Sequence, residues 1–393
     1  MATLPDQDTL KAAATPRPLP PGGKREALFR ALLIAGAIAF AWVAIEIPAL
    51  FNLVDYEGLE FSQAWGSVRF IRVPDPQLLH IEPPYAHYAG SSRGGDFETR
   101  FQVPPAEQKL YTWDLKYDRH GFRNPVDLTR ADIAVVGDSM VEGMTVPQQA
   151  LTTSVLARLE GRVVANLGQY GYGPQQEYAV FERFALPLQP RVILWMFFEG
   201  NDLTDEIAYR EIAAHPPGPW NFFLERSFTR FAARTLEGLF APRRPPGIVR
   251  SGEFAAQNVY FSTPAAKLSP QESAAMEATA RMVGAAHQRA AAQGARVVFV
   301  FIPDKFRVLR DFCRFPGPSE CRNWALSDTP TLMRNALRSV SGDIDFLDLT
   351  PDLQDLAKRG VLPYYTDDVH FSPEGHEAAA AAIHRFLEAG RNP

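Results

Sequence analysis

Five short runs constrain the fold more than any other feature of the chain. They read IAVVGDS (133–139), RVVANLG (162–168), RVILWMFFEG (191–200), ARVVFVFIP (295–303) and IDFLDLT (344–350), and each ends on small or polar residues. Strands that are apolar throughout, rather than at every second position, must be covered on both faces, which is the condition of a parallel sheet. Helices are predicted at about 147–160, 174–186, 270–293, 351–359 and 373–389. Strands and crossover helices in this order give an α/β chain, a three-layer α/β/α domain on a five-stranded parallel sheet. In open sheets of this kind the ligand site lies beyond the carboxyl ends of the strands.

The unusual polar residues fall at those ends. The first run ends at Ser139, the second in NLGQYGYGP (166–174) and the third in FFEGND (197–202). The final helix follows YTDDVHFSPEGH (365–376). Together these loops offer a hydroxyl, glycine N–H groups without steric cover, a carboxamide, and a carboxylate three residues before an imidazole. Acyl transfer by serine needs that set. The hydroxyl is a weak nucleophile until a base is within hydrogen-bond reach. His370 can supply the base, and a carboxylate fixes its tautomer. Asp367, three positions before His370, can reach the ring. Ser139 N–H, Gly171 N–H and the Asn201 side chain are candidate donors to the oxyanion.

These blocks resemble the SGNH (GDSL-like) hydrolase superfamily. VVGDSMVEG is similar to the block carrying the nucleophile, NLGQYGYG to the glycine block, FEGND to the asparagine block and DDVHFSPEGH to the D-x-x-H block. The resemblance spans about 130 to 390, in the family's order. It implies a flavodoxin-like fold, a catalytic set of Ser139, Asp367 and His370, and an oxyanion hole of Ser139, Gly171 and Asn201. Met140 stands where the family's name-giving Leu would be, a conservative apolar exchange.

Each residue also has a plainer reading. Ser139 and the Asn201–Asp202 pair are good helix caps. Gly171 can simply permit positive φ, with Gly168 or Gly173 taking the donor role. Asp368 is expected to face solvent or to hydrogen-bond its own loop. His376, in the first turn after Ser372-Pro373, is read as packing rather than as a second base. Asp138 is expected to brace its turn through backbone hydrogen bonds, and His120 to be structural or exposed.

Around the domain, four further segments are distinguished. Residues 1–23, rich in Pro, Thr, Ala and Gly, read as a disordered cytoplasmic tail. Residues 24–51 read as a transmembrane anchor: Ala31 to Ile45 is fifteen residues without a polar side chain, preceded by Lys24, Arg25 and Arg30 and followed by acidic residues. A cleaved signal peptide is the rival, since Ala39-Phe40-Ala41 resembles a cleavage site. Residues 52–128 form a membrane-proximal segment without assignable chemistry. Within the hydrolase domain, 129–393, the stretch 203–269 interleaves aromatics with arginines. It reads as a lid or carbohydrate platform, or as a piece that packs on the membrane surface or on 52–128. Cys313 and Cys321 are a disulfide candidate for an oxidising compartment.

A net charge of −5 with scattered arginines does not favour nucleic acid. Neither C-x-x-C nor H-E-x-x-H occurs, so no cofactor or metal is expected. The expected function is a membrane-anchored, periplasm-facing serine esterase that removes acyl groups, acetyl foremost, from an envelope or exported polysaccharide. The expected address is the inner membrane, single-pass, with the N-terminus cytoplasmic. One alternative is a polysaccharide O-acyltransferase with the same triad, which would need a membrane acyl-transfer partner. A second is a non-catalytic glycan-binding protein on a hydrolase scaffold.

Overall fold

The five apolar runs form strands β1 (Ile133–Gly137), β2 (Val164–Gly168), β3 (Val192–Phe198), β4 (Arg296–Ile302) and β5 (Asp345–Asp348) of one sheet. In this computed structural model, residues 23–51, 53–54, 56, 72–95, 103–216, 218, 223–224, 226–240, 247–249, 257–262, 267–317 and 319–390 are described. The spatial order is β2-β1-β3-β4-β5, with every pairing parallel. The disordered tail expected at 1–23 lies outside the described residues except for Gly23.

The described helices include α1 (Lys24–Leu50), α2 (Ser139–Glu142), α3 (Thr152–Glu160), α4 (Pro174–Val180), α5 (Asp202–Ala214), α6 (Phe228–Phe240), α7 (Pro270–Ala291), α8 (Thr329–Val340), α9 (Thr350–Lys358) and α10 (Pro373–Ala389). Each all-apolar strand still divides its side chains between two faces. Ile133, Val135, Leu194, Met196, Val298 and Val300 join a core with Leu156, Leu353 and Ile383 from α3, α9 and α10. Ala134, Val136, Ile193, Trp195, Phe299 and Phe301 join the opposite core with Val180, Val283 and Leu337 from α4, α7 and α8. Both faces are covered, as the unbroken apolar runs require.

The helix expected at 147–160 is interrupted: Leu151 has ψ 143°, and a 3₁₀ turn precedes α3. The one expected at 174–186 ends its α-helical part at Val180 and continues through a π-helical turn, Phe181–Ala185. Helices α5 and α6 lie inside the stretch read as an insertion.

Register aligns the carboxyl ends of the central strands. Gly137 pairs with Gly168, and Phe198 with Ile302. A Cβ on Gly137 would meet Val141 Cγ2 at 2.5 Å, and one on Gly168 would meet Glu142 N at 2.5 Å. Glycine at both positions therefore lets the turn into α2 fold tightly over the ends of β1 and β2.

Among the described residues of 72–117, two antiparallel strand pairs form, Val73–Asp75 with Leu79–Ile81 and His87–Arg93 with Leu110–Lys116. The second buries Tyr111, Trp113 and Leu115 on its inner side, with Met144 in the same cluster.

Cys313 and Cys321, the pair singled out as a disulfide candidate, both pack against the same core. Cys313 belongs to a two-residue strand on Gly247–Val249, and Cys321 is buried in the core beneath. Burial pushes the Cys313 thiol up to about 12.

Candidate active site

Ser139 is the first residue of α2, directly after β1 and its glycine. Asp138 caps that turn, its Oδ1 accepting from Met140 N at 2.9 Å, so the bracing read from sequence is what the structure contains. Ser139 therefore has its hydroxyl free of capping duty. Its Oγ lies 2.9 Å from His370 Nε2 and 3.3 Å from Asp138 Oδ2. Both Ser139 and His370 are 5% exposed.

On the other side of the imidazole, His370 Nδ1 lies 2.6 Å from Asp368 Oδ1. The same oxygen accepts His370 N–H at 2.8 Å. This corrects the expected triad: Asp368, not Asp367, is the histidine's carboxylate. Asp367 points away, its Oδ2 accepting Lys109 N at 2.8 Å and its Oδ1 accepting the Tyr111 hydroxyl at 2.7 Å. A carboxylate two residues before the histidine closes a tight side-chain-to-backbone turn as it meets the ring. The one three residues before is taken by the hairpin.

The loop that carries both aspartates is held from below. Lys305 follows β4 and is fully buried. Its Nζ donates to the carbonyls of Tyr365, Thr366 and Asp368 at 2.5, 3.0 and 3.0 Å. Burial, partly offset by Asp368 and Asp367, brings its ammonium down to about 7. Gly95 closes the loop from the opposite side: a Cβ there would meet Asp368 Oδ2 at 2.5 Å and Asp367 O at 2.7 Å.

The three glycines after β2 are not equivalent. Gly168 N–H donates to Asn166 Oδ1 at 3.0 Å, and Gly173 N–H to Gln176 Oε1 at 3.1 Å. Gly171 has φ +74°, open space where a Cβ would be, and no hydrogen bond from its N–H to another described residue. Of the three, it is the one with a donor to offer. Its loop is fixed by Glu142, which accepts Tyr170 N at 2.6 Å and the Tyr117 hydroxyl at 2.5 Å.

Asn201 occupies the N-cap position of α5, yet its side chain makes no capping bond. Its Nδ2 donates to Asp205 Oδ2 at 2.8 Å, and its amide also touches the Asp138 carboxylate. Asn201 Oδ1 is buried without a partner among the described residues. Burial and the nearby Asp138 charge raise Asp205 to about 7. Asp138, Glu177 and Asp202 are wholly buried acids beside it, and desolvation raises all three.

His376 is buried against Thr152, its Nδ1 2.8 Å from Thr152 Oγ1. Burial lowers it to about 3, so it stays neutral and serves packing, in agreement with the sequence reading. His120 is exposed enough to hydrogen-bond Arg119 and does not approach Ser139. Sequence reasoning missed Asp368, Lys305, Gly95 and Glu142. Only Asp368 carried a local signal, its i, i+2 spacing from His370.

For metal ligation, Glu160, His384 and Glu388 place ligand atoms within 4.8 Å of one another. They stand on α3 and α10, where His384 Nδ1 pairs with Glu160 Oε1 at 2.7 Å. They share no residue with the cluster around Ser139.

Residues 260–392 match a family profile described as SGNH hydrolase-like domain, acetyltransferase AlgX. That matched stretch, about a third of the chain, is similar to SGNH hydrolase-like domains. The matched part contains Lys305, Asp368 and His370, whereas Ser139, Gly171 and Asn201 precede it. Solved structures of related outline include a putative lipolytic protein of the G-D-S-L family from Desulfitobacterium hafniense. It is 13% identical over 64% of this chain and 97% of its own, with a TM-score of 0.35. An acetyl xylan esterase, AlAXEase, is 13% identical over 65% of this chain and 98% of its own, with a TM-score of 0.35. A catalytic mutant of an acetylxylan esterase from Geobacillus stearothermophilus is 9% identical over 66% and 94%, also at 0.35. These likenesses are remote and bear on neither substrate nor residue roles. Among curated proteins, none matches the chain.

Proposed function

We propose that this SGNH hydrolase-like protein is a serine enzyme acting on acyl esters, with Ser139 as nucleophile, His370 as general base and Asp368 orienting the imidazole. The observation that carries the reading is the continuous chain Ser139 Oγ–His370 Nε2 (2.9 Å) and His370 Nδ1–Asp368 Oδ1 (2.6 Å). Oγ attacks the acyl carbon as its proton passes to Nε2. The oxyanion is received by Ser139 N–H and Gly171 N–H, joined by Asn201 Nδ2 when it gives up its hydrogen bond to Asp205, each such donor contributing on the order of 3 kcal/mol to the barrier. The leaving hydroxyl takes the proton from Nε2, and the acyl group remains on Oγ. An incoming hydroxyl then gives its proton to Nε2 and carries the acyl group away.

If that hydroxyl belongs to water, the enzyme is an esterase; if it belongs to a sugar, it is an O-acyltransferase. The acyl group proposed is acetyl and the substrate an envelope or exported polysaccharide. The description of the matched family as an acetyltransferase is what favours the transferase reading. Helix α1 is long and apolar enough to cross a membrane, with none of its apolar window buried. An anchor and a signal sequence both fit that fact. We take it as a single-pass anchor with the enzyme on the extracytoplasmic side, because basic residues precede it and acidic ones follow.

The test is acetate release from a chromogenic ester and from acetylated oligosaccharides by the full chain, beside Ser139→Ala. Activity that disappears in the variant supports the assignment. Equal inactivity of both on every ester, with retained glycan binding, sinks the catalytic reading in favour of a binding protein. Acetylated product from an acetyl donor and a sugar acceptor separates transferase from esterase.

A further inference from the structure

Helix α6 meets the apolar helix α1 at one place, and that contact sets its depth. Glu46 is the acidic interruption at the far end of α1's apolar stretch. Its carboxylate accepts Phe228 N at 3.1 Å and Thr229 N at 2.8 Å, and it also bonds the Thr229 hydroxyl. Glu46 thus caps the N-terminus of α6, where a negative charge is favoured by unpaired N–H groups and the helix dipole. One turn earlier on α1, Trp42 Nε1 donates to Thr229 Oγ1 at 3.0 Å, and its ring packs edge-on against Phe228 at 5.2 Å. Tyr56 completes the joint, with its hydroxyl on Ile45 O at 2.8 Å and its ring 5.4 Å from Phe228.

At 1.5 Å per residue, Glu46 stands about 24 Å along α1 from Arg30, close to the span of a hydrocarbon core. The first turn of α6 therefore lies at the level where acyl chains give way to headgroups. Trp and Tyr at that level are the residue types that favour such a boundary.

The sequence of α6 suits the same place. Phe228, Phe231, Ala232, Thr235 and Leu236 follow the i, i+3, i+4, i+7, i+8 spacing and share one side. The Thr235 hydroxyl is turned back onto Phe231 O at 2.8 Å, so it adds little polarity to that side. Arg230 and Arg234 lie on the opposite side. Leu236 is 56% exposed, and on α1 Leu32 is 63% and Phe40 77% exposed.

We propose that α6 is an interfacial helix, lying in the headgroup layer of the leaflet next to the catalytic domain. The Leu236 end of its apolar side enters the acyl chains, while Phe228 stays in the joint with Trp42 and Tyr56. Two attachments, α1 and α6, then fix the orientation of the Ser139 rim above the bilayer rather than leaving it on a swivel. The proposal rests on the reading of α1 as a membrane anchor.

The experiment uses the full chain in nanodiscs of phosphatidylcholine with a minority of phosphatidylglycerol. An environment-sensitive fluorophore is placed in turn at Ile38→Cys, Leu236→Cys and Leu159→Cys, in a Cys313→Ser, Cys321→Ser background. Quenching by iodide in water is compared with quenching by lipids bearing shallow or deep nitroxides. The expected result is several-fold weaker iodide quenching at 236 than at 159, with the shallow lipid quencher acting strongly at 236 and the deep one at 38. If 236 behaves like 159 while 38 is quenched from the lipid, α6 is not interfacial and the anchor reading survives. If 38 is as open to iodide as 159, the anchor reading fails and takes the proposal with it.

Discussion

Asp368 and Asp367 are neighbours in sequence but serve opposite sides of one loop. Asp368 Oδ1 meets both N–H groups of His370, at 2.6 Å from Nδ1 and 2.8 Å from the backbone nitrogen. Asp367 turns to the hairpin and accepts from Lys109 N and Tyr111. Asp368→Asn is expected to lower kcat by on the order of 10³ to 10⁴ with little change in KM, because the wrong imidazole tautomer is then stabilised. Asp367→Asn keeps the accepting oxygen for one partner and is expected to lower kcat far less. Equal losses in the two variants, measured on one ester, would overturn the assignment.

Gly95 tests the same carboxylate from outside. A methyl group there would press on Asp368 Oδ2 at 2.5 Å, and backbone at Asp367 O bars its retreat. Gly95→Ala is expected to cost on the order of 10²-fold in kcat by displacing Asp368. Combined with Asp368→Asn, it should add almost nothing, since both changes remove one function. Additive losses would mean that Gly95 matters for another reason.

The sheet was legible from sequence because strands covered on both faces leave no polar residue inside them. Ser139 and His370, which lie 2.9 Å apart, stood out in sequence because one follows a strand end and the other precedes the last helix. Asp368 was misread because carboxylates two and three residues before a histidine both reach its ring. The choice was made by Lys109 and Tyr111, which lie about 250 residues earlier and occupy Asp367. Lys305 was invisible for a similar reason: a lysine after a strand looks like solvated surface until the loop at 365–368 is folded over it. Helices α5 and α6 were lost inside a stretch judged by its aromatics and arginines, although α6 is strongly amphipathic.

Asn201 makes a prediction about both rate and pH. Its side chain does not cap α5, so Asn201→Ala is expected to lower kcat by on the order of 10² to 10³, the loss of one oxyanion donor. Its partner Asp205 is raised from 3.8 to about 7. The folded state thus binds more protons than the unfolded one between those values. The stability that Asp205 contributes is greatest in acid and falls as pH rises towards 7, with no further change above. Asp205→Asn lacks that titration and should gain stability relative to wild type from pH 4 to 7, as read by urea unfolding. A constant difference across that range would show that Asp205 does not carry the shift.

Lys305 has the opposite sign. It is a base whose folded value is depressed from 10.5 to about 7. Between those values the unfolded chain binds the extra proton, so wild-type stability rises with pH through the window and levels off above about 10.5. Lys305→Met keeps the length of the side chain but removes the donor from the carbonyls of Tyr365, Thr366 and Asp368. Leaving buried acceptors without a donor costs about 1 to 3 kcal/mol each, so a loss of several kcal/mol is expected at neutral pH. The gap between wild type and variant should widen from pH 7 to 10 in urea unfolding. Because the three carbonyls belong to the segment that aims His370 at Ser139, kcat should fall by more than KM rises. Lys305→Arg, with a longer and always charged donor, should restore part of the stability without the pH slope. A variant that folds as stably as wild type and keeps its kcat would show that the loop positions His370 without Lys305.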